Sequence, residues 1–211
     1  MIQPYLERLP LVAILRGVTP EEILPIGRAL VDAGFVMIEI PMNSPRPIES
    51  IALLRENFDD DILVGAGTVT REREIRAVAD AGGGLVVMPH SDPIIIRAAK
   101  SAGMICTPGI ATPTEGFAAL ANGADALKLF PAELLTPAVV RAMRSVFSST
   151  ARFLPVGGIT PDSMSEYVAA GAAGFGLGSA LYRRGDGPER VAENAHAFVD
   201  AWRRIPRAAR T

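Results

Sequence analysis

The chain is poor in the residues that carry most metal and thiol chemistry. Cys106 is the only cysteine in 211 residues, which excludes an intramolecular disulfide and any multi-cysteine metal site, and it reads as a core thiol. His90 and His196 are the only histidines. His196 falls within the amphipathic stretch Ala192–Trp202, so no two-histidine metal site assembles, and His90 reads as a surface loop residue. No G-x-S-x-G elbow offers Ser-His-Asp hydrolysis. No apolar run approaches the roughly 18 residues of a membrane span, and the first residues lack the charged-then-apolar pattern of a signal peptide, so the expected location is the cytoplasm, with no membrane partner. The formal net charge is −2 with the charges spread along the chain, which leaves no footprint for a nucleic-acid partner. Arg203, Arg204, Arg207 and Arg210 form the one basic cluster, which reads as a solvated tail.

Lysine is scarce as well, and here the scarcity is informative. Nineteen of the 21 basic residues are arginine, yet Lys128 stands inside the apolar run Ala126-Leu127-Lys128-Leu129-Phe130. Arginine would serve most structural roles at such a position. It cannot lose its proton and attack a carbonyl, whereas a desolvated lysine falls from its reference pKa of about 10.4 toward neutrality and becomes a nucleophile. A snorkelling or ion-paired lysine is the bland alternative.

Half of the chain, 49%, is hydrophobic, enough for one large core, so residues 1–211 read as a single domain. Eight short apolar runs recur, at Leu11–Leu15, Val36–Ile40, Ile62–Gly65, Leu85–Met88, Met104–Thr107, Ala126–Phe130, Arg152–Val156 and Gly174–Leu177. Stretches of helical spacing separate them. Thr19-Pro20-Glu21-Glu22 opens the first helix and Ala33-Gly34 closes it, and Thr160-Pro161-Asp162 and Ala170-Gly171 repeat the pattern. This alternation predicts parallel strands joined by helices, an α/β protein whose eight units close into a single (β/α)8 TIM barrel. Residues 1–10 are expected to form a short N-terminal helix across the barrel's bottom. An open doubly wound sheet would want G-x-G-x-x-G after the first strand, where Arg16-Gly17-Val18-Thr19 stands instead.

A barrel builds its active site at the C-terminal ends of its strands. Those ends carry Arg16, Glu39, the Gly65–Thr68 loop, Lys128, Gly157-Gly158 and Gly178-Ser179. Strand parity puts Met37 and Glu39 on one face, so Glu39 can approach Lys128 across the lumen, as a proton shuttle or as an ion-pair partner. Gly157, Gly158, Gly178 and Ser179 follow strands seven and eight, where many barrels bind phosphate through backbone N–H groups and a helix N-terminus. Arg16 is a candidate anion-binding cation.

These residues resemble the class I 2-keto-3-deoxy-6-phosphogluconate and 2-keto-3-deoxy-6-phosphogalactonate aldolases over nearly the whole chain. The similarity runs from Leu11–Gly17 through Val36–Ser44, Val64–Val69, Pro108–Glu115, Leu127–Glu133 and Pro155–Thr160 to Gly176–Ser179. It implies a TIM barrel, a Schiff base on Lys128, Glu39 as acid/base, and a homotrimer. The covalent imine on Lys128 would replace any metal or other cofactor. Arg16 and Thr68 would hold the carboxylate end of a phosphorylated 2-keto-3-deoxy sugar acid, and Gly157, Gly158, Gly178 and Ser179 its phosphate. The phosphogluconate enzymes carry an arginine and a threonine where this chain has Asn43 and Val156, so these two positions are the expected specificity residues and the chain is similar to the phosphogalactonate branch. The implied reaction is cleavage to pyruvate and D-glyceraldehyde 3-phosphate. The alternatives are the phosphogluconate reaction of the Entner-Doudoroff pathway and a non-catalytic sensor of sugar-acid phosphates, which would need no Lys–Glu pair.

Overall fold

The computed structural model describes residues 1–206. Arg207 and Arg210 of the basic cluster lie outside the described residues, while Arg203 and Arg204 form the last turn of the final helix. The order of elements is α1 (Gln3–Arg8), β1 (Leu11–Ile14), α2 (Pro20–Asp32), β2 (Met37–Pro41), α3 (Pro47–Asn57), β3 (Leu63–Gly67), α4 (Glu72–Asp80), β4 (Leu85–Val87) and α5 (Pro93–Ser101). It continues with β5 (Ile105–Thr107), β6 (Gly109–Ile110), α6 (Pro113–Ala121), β7 (Leu127–Leu129), α7 (Pro137–Arg144), β8 (Phe153–Pro155), α8 (Met164–Ala169), β9 (Phe175–Leu177) and α9 (Pro188–Arg204). Each expected apolar run forms a strand at its place.

The strands pair in parallel, and they do so in two sheets rather than one continuous eight-stranded ladder. Six strands run in the order β5-β4-β3-β2-β1-β9 and three in the order β6-β7-β8. A single bridge between Val156 and Gly176 links the ends of β8 and β9. At the other seam Pro108 separates β5 from β6. Proline has no N–H to give to a ladder, so one run of chain becomes two short strands, while the Pro108 carbonyl still accepts the Lys128 N–H at 2.9 Å. The result is barrel-like, a curled parallel sheet with helices outside it.

Local chemistry sets the helix ends. At α2 the Glu22 carboxylate accepts the Thr19 N–H at 3.1 Å, Pro20 occupies the first turn, and Gly34 takes the positive φ of 106° that ends the helix. The expected repeat at Thr160-Pro161-Asp162 behaves differently. There Ser163 folds back, its hydroxyl accepting from the Thr160 N–H and donating to the Thr160 carbonyl, so α8 starts only at Met164. At the opposite end of the strands, α1 buries Leu6, and Ile2 just before the helix reaches into the space between the strands.

Candidate active site

Strand parity carries the two charged residues inward. Lys128 stands on β7 between Leu127 and Leu129, which are fully buried, and it keeps only 4% of its surface exposed itself. Glu39 stands on β2, 1% exposed, between Ile38 and Ile40. Both line a small pocket of about 20 Å³ whose other walls are mostly apolar, among them Ile14, Leu85 and Val156. Lys128 also lines a larger open cavity of about 490 Å³ above it. One amine therefore faces both the outside approach and the buried carboxylate.

Burial sets the electrostatics of this pair. Desolvation is the largest influence on Glu39 and raises its pKa to about 7, against the pull of Lys128 and Arg16 toward the charged form. Desolvation also lowers the Lys128 pKa from the ordinary ammonium value. Glu39 opposes that shift, and Arg16 adds to it. Lys128 and Glu39 do not approach within the 4.0 Å of an ion pair among the described residues, and Glu39 Oε2 has no protein hydrogen-bond partner. The Lys128 Nζ lies over the Phe130 ring, 4.7 Å from its centroid. Gly67 makes room for Glu39, because a Cβ at that position would collide with the Glu39 carboxylate.

Arg16 joins two other expected residues. Its Nη1 donates to Asn43 Oδ1 at 2.6 Å and its Nη2 to Thr68 Oγ1 at 3.2 Å. Thr68 holds φ at 55°, a conformation costly for a β-branched residue. Loops after β1, β2 and β3 thus meet at one point. Arg16 lines the large cavity together with Lys128, Val156, Gly157, Gly158 and Gly178, and Ser179 and Arg183 extend that wall.

The glycine wall differs from the expected phosphate loop in one respect. Gly178 and Ser179 belong to a turn, in which the Leu181 and Tyr182 N–H groups donate to the Gly178 carbonyl, and α9 begins only at Pro188. No helix starts at this loop, so any anion held there depends on backbone N–H groups, hydroxyls and side-chain cations. Gly157 and Gly158 take positive φ values of 109° and 63°. A Cβ on Gly157 would collide with the Glu133 carboxylate, whereas a Cβ on Gly178 would meet nothing within 4 Å.

Five residues at or below the cavity were not expected from the sequence. Phe130, Glu133, Tyr182 and Arg183 line the large cavity, and Thr107 lines the pocket beneath Lys128. Phe130 follows β7 directly and Glu133 stands in the loop after it, and that strand-end position was the available signal. Arg183 donates from Nε to the Ser179 carbonyl at 3.0 Å, which fixes its direction. His90 is exposed in its loop, and His196 is exposed on α9. No group of three or more histidine, cysteine, aspartate or glutamate side chains among the described residues is arranged to hold a metal ion, and no helix there is long and apolar enough to cross a membrane.

A barrel-like α/β scaffold with a desolvated lysine beside a buried carboxylate, under an open cavity, is equipped for carbonyl chemistry through an amine nucleophile. Comparison with known proteins points to aldolases. The family model "KDPG and KHG aldolase" matches residues 2–188. The 2-dehydro-3-deoxy-6-phosphogalactonate aldolase of Escherichia coli (strain K12) is 45% identical over 93% of this chain and 96% of its own. A solved structure described as native KDPGal matches with a TM-score of 0.92 and 45% identity, covering 94% of this chain and 96% of that one. A cube-shaped protein cage designed by fusing symmetric oligomeric domains matches equally well, at TM-score 0.92 and 45% identity, over 94% of this chain and 73% of the cage chain. The chain belongs to the KDPG and KHG aldolase family.

Proposed function

We propose that this chain is a class I aldolase that cleaves 2-dehydro-3-deoxy-6-phospho-D-galactonate to pyruvate and D-glyceraldehyde 3-phosphate. The observation that carries the reading is the position of Lys128, desolvated and facing both the open cavity and buried Glu39. The 45% identity to a phosphogalactonate enzyme, with Asn43 and Val156 at the two branch-dependent positions, supports the choice of substrate.

In this reading neutral Lys128 Nζ attacks the C2 ketone. The carbinolamine loses water to give a protonated imine, with Glu39 moving the protons. Glu39, directly or through water, takes the proton of the C4 hydroxyl. The C3–C4 bonding electrons then flow into the iminium, releasing glyceraldehyde 3-phosphate and leaving an enamine. Protonation at C3 and hydrolysis return pyruvate and the free amine. The iminium is the electron sink, so the chemistry calls for no added metal or other cofactor. A carboxylate poised near pH 7 suits both halves of the proton transfer.

Arg16, braced by Asn43 and Thr68, would hold the substrate carboxylate. Gly157, Gly158, Gly178 and Ser179 would hold the phosphate. Glu133 stands against that glycine pair, so the attraction there comes from backbone N–H groups and the Ser179 hydroxyl, aided by Arg183.

The two sheets are then the arcs of one eight-stranded barrel in a single domain, interrupted at Pro108. We place the protein in the cytoplasm, where phosphorylated sugar acids are made and consumed, and assign it a homotrimer. Exposed Phe117 and Val146, at 50% and 56%, are suited to cover by a second copy, and light scattering of the purified protein tests this.

Borohydride reduction with pyruvate, followed by peptide mass analysis, tests the chemistry. The expected result is one reduced pyruvate adduct, confined to Lys128. A folded protein that binds the phosphorylated acid and forms no adduct would instead be a sensor.

A further inference from the structure

The pocket beneath Lys128 contains two buried polar atoms with no protein partner, Glu39 Oε2 and Thr107 Oγ1. Thr107 is 3% exposed at the end of β5 and lines this pocket among mostly apolar residues. An unpaired buried hydroxyl costs about 1–3 kcal/mol, and an unpaired buried carboxylate oxygen costs more. The volume of about 20 Å³ exceeds the roughly 10–15 Å³ that one water requires, and a buried water needs two to four polar partners. Glu39, Thr107 and Lys128 are three groups of the right kind around one such space.

We propose that Thr107 is a positioning residue for Glu39, holding a single buried water between its hydroxyl and the Glu39 carboxylate, beside Lys128. The hydroxyl fixes where the water sits, and the water donates a hydrogen bond to Glu39 Oε2 and relays protons between Glu39 and the Lys128 adduct. A hydrogen bond donated to the carboxylate favours its charged form, so the water makes Glu39 a base at lower pH than burial alone would allow. The other charges acting on Glu39 are Lys128 on β7 and Arg16 after β1. Leu85 and Val87 of β4, Leu154 of β8, Val156 just after it, and Gly176 of β9 face the same pocket and carry no charge.

The inference rests on the Schiff-base reading, and the two can fail separately. The wild-type protein is first trapped with pyruvate and borohydride, and absence of a Lys128 adduct takes both down. Given the adduct, Thr107→Val keeps the shape and removes the hydroxyl, and Thr107→Ser restores it. Thr107→Val is expected to lower kcat about tenfold with KM changed less than about twofold, the size of one hydrogen bond to a charged group. The acid limb of its rate profile should move to higher pH by about one unit, because Glu39 then holds its proton more tightly. Thr107→Ser should return both rate and limb toward wild type. An unmoved limb, or a loss that serine does not restore, overturns the role of Thr107 and leaves it a packing residue.

Discussion

Arg16 and Asn43 are joined by a 2.6 Å hydrogen bond from the guanidinium to the amide oxygen, and Thr68 accepts from the same guanidinium at 3.2 Å. Three loops that begin on three neighbouring strands therefore orient one cation. The Asn43 amide oxygen and the Thr68 hydroxyl together aim the guanidinium, so the substrate-binding role proposed for Asn43 runs through Arg16.

Asn43→Ala removes that acceptor. A hydrogen bond to a charged group is worth about 1.5–3 kcal/mol, of which the exposed position of Arg16 retains the lower part. Steady-state kinetics should show KM for the phosphorylated acid rising about tenfold with a smaller change in kcat. An unchanged KM would mean that Arg16 holds its direction without Asn43.

Glu39→Gln separates catalysis from stability. Pyruvate binding should persist while kcat falls by roughly a hundredfold or more, the general acid–base contribution. Stability should change in the other direction. An acid raised to about 7 by folding contributes stability fully present below its unfolded value near 4.5 and lost as the pH rises through 7. Wild type therefore bears the cost of a buried charge above pH 7, and the variant does not. Thermal unfolding at pH 8 should favour the variant by up to roughly 3 kcal/mol, with the gap closing below pH 4.5. Equal stability at both pH values would show that Glu39 is solvated in the folded protein.

Gly178→Ala tests the proposed phosphate wall without disturbing the fold. The backbone there has no positive φ, and the added methyl meets nothing. The variant should unfold with wild-type Tm, while its KM for the phosphorylated acid rises about tenfold and that for an unphosphorylated 2-keto-3-deoxy acid does not, as expected if the methyl enters ligand space. Gly157→Ala is the contrast. With φ at 109° and Glu133 in the way, it should lose roughly 1–3 kcal/mol of stability.

Val156→Thr is nearly isosteric and adds a hydroxyl where the cavity wall meets the inner pocket. The ratio of kcat/KM for the gluconate and galactonate epimers should shift toward gluconate by roughly five- to tenfold, about 1 kcal/mol of one new hydrogen bond. Unchanged epimer ratios would remove Val156 from the specificity set.

Much of this was legible in the residues. Each of the eight apolar runs became a strand, and Glu39 and Lys128 turned inward because side-chain direction in a strand alternates with a period of two. The break at Pro108 was legible in principle, since proline gives no N–H to a ladder, yet it falls just past the end of the run Met104–Thr107, where a strand is expected to stop in any case. Thr107 offered no signal, because a threonine in a strand is ordinary until its hydroxyl is found buried without a partner. The strand-end position of Glu133 was legible, but its place against Gly157 was not, because that contact links the segment after β7 to the loop after β8.

The order of residues was enough to settle which groups stand at strand ends and which face each takes, because those properties are local and periodic. It left open how far Lys128 and Glu39 are withdrawn from water, whether they touch, and which loops brace Arg16. Desolvation is the summed effect of walls contributed by strands distant in sequence, from Ile14 on β1 to Gly176 on β9, and only their closing around one space produces it.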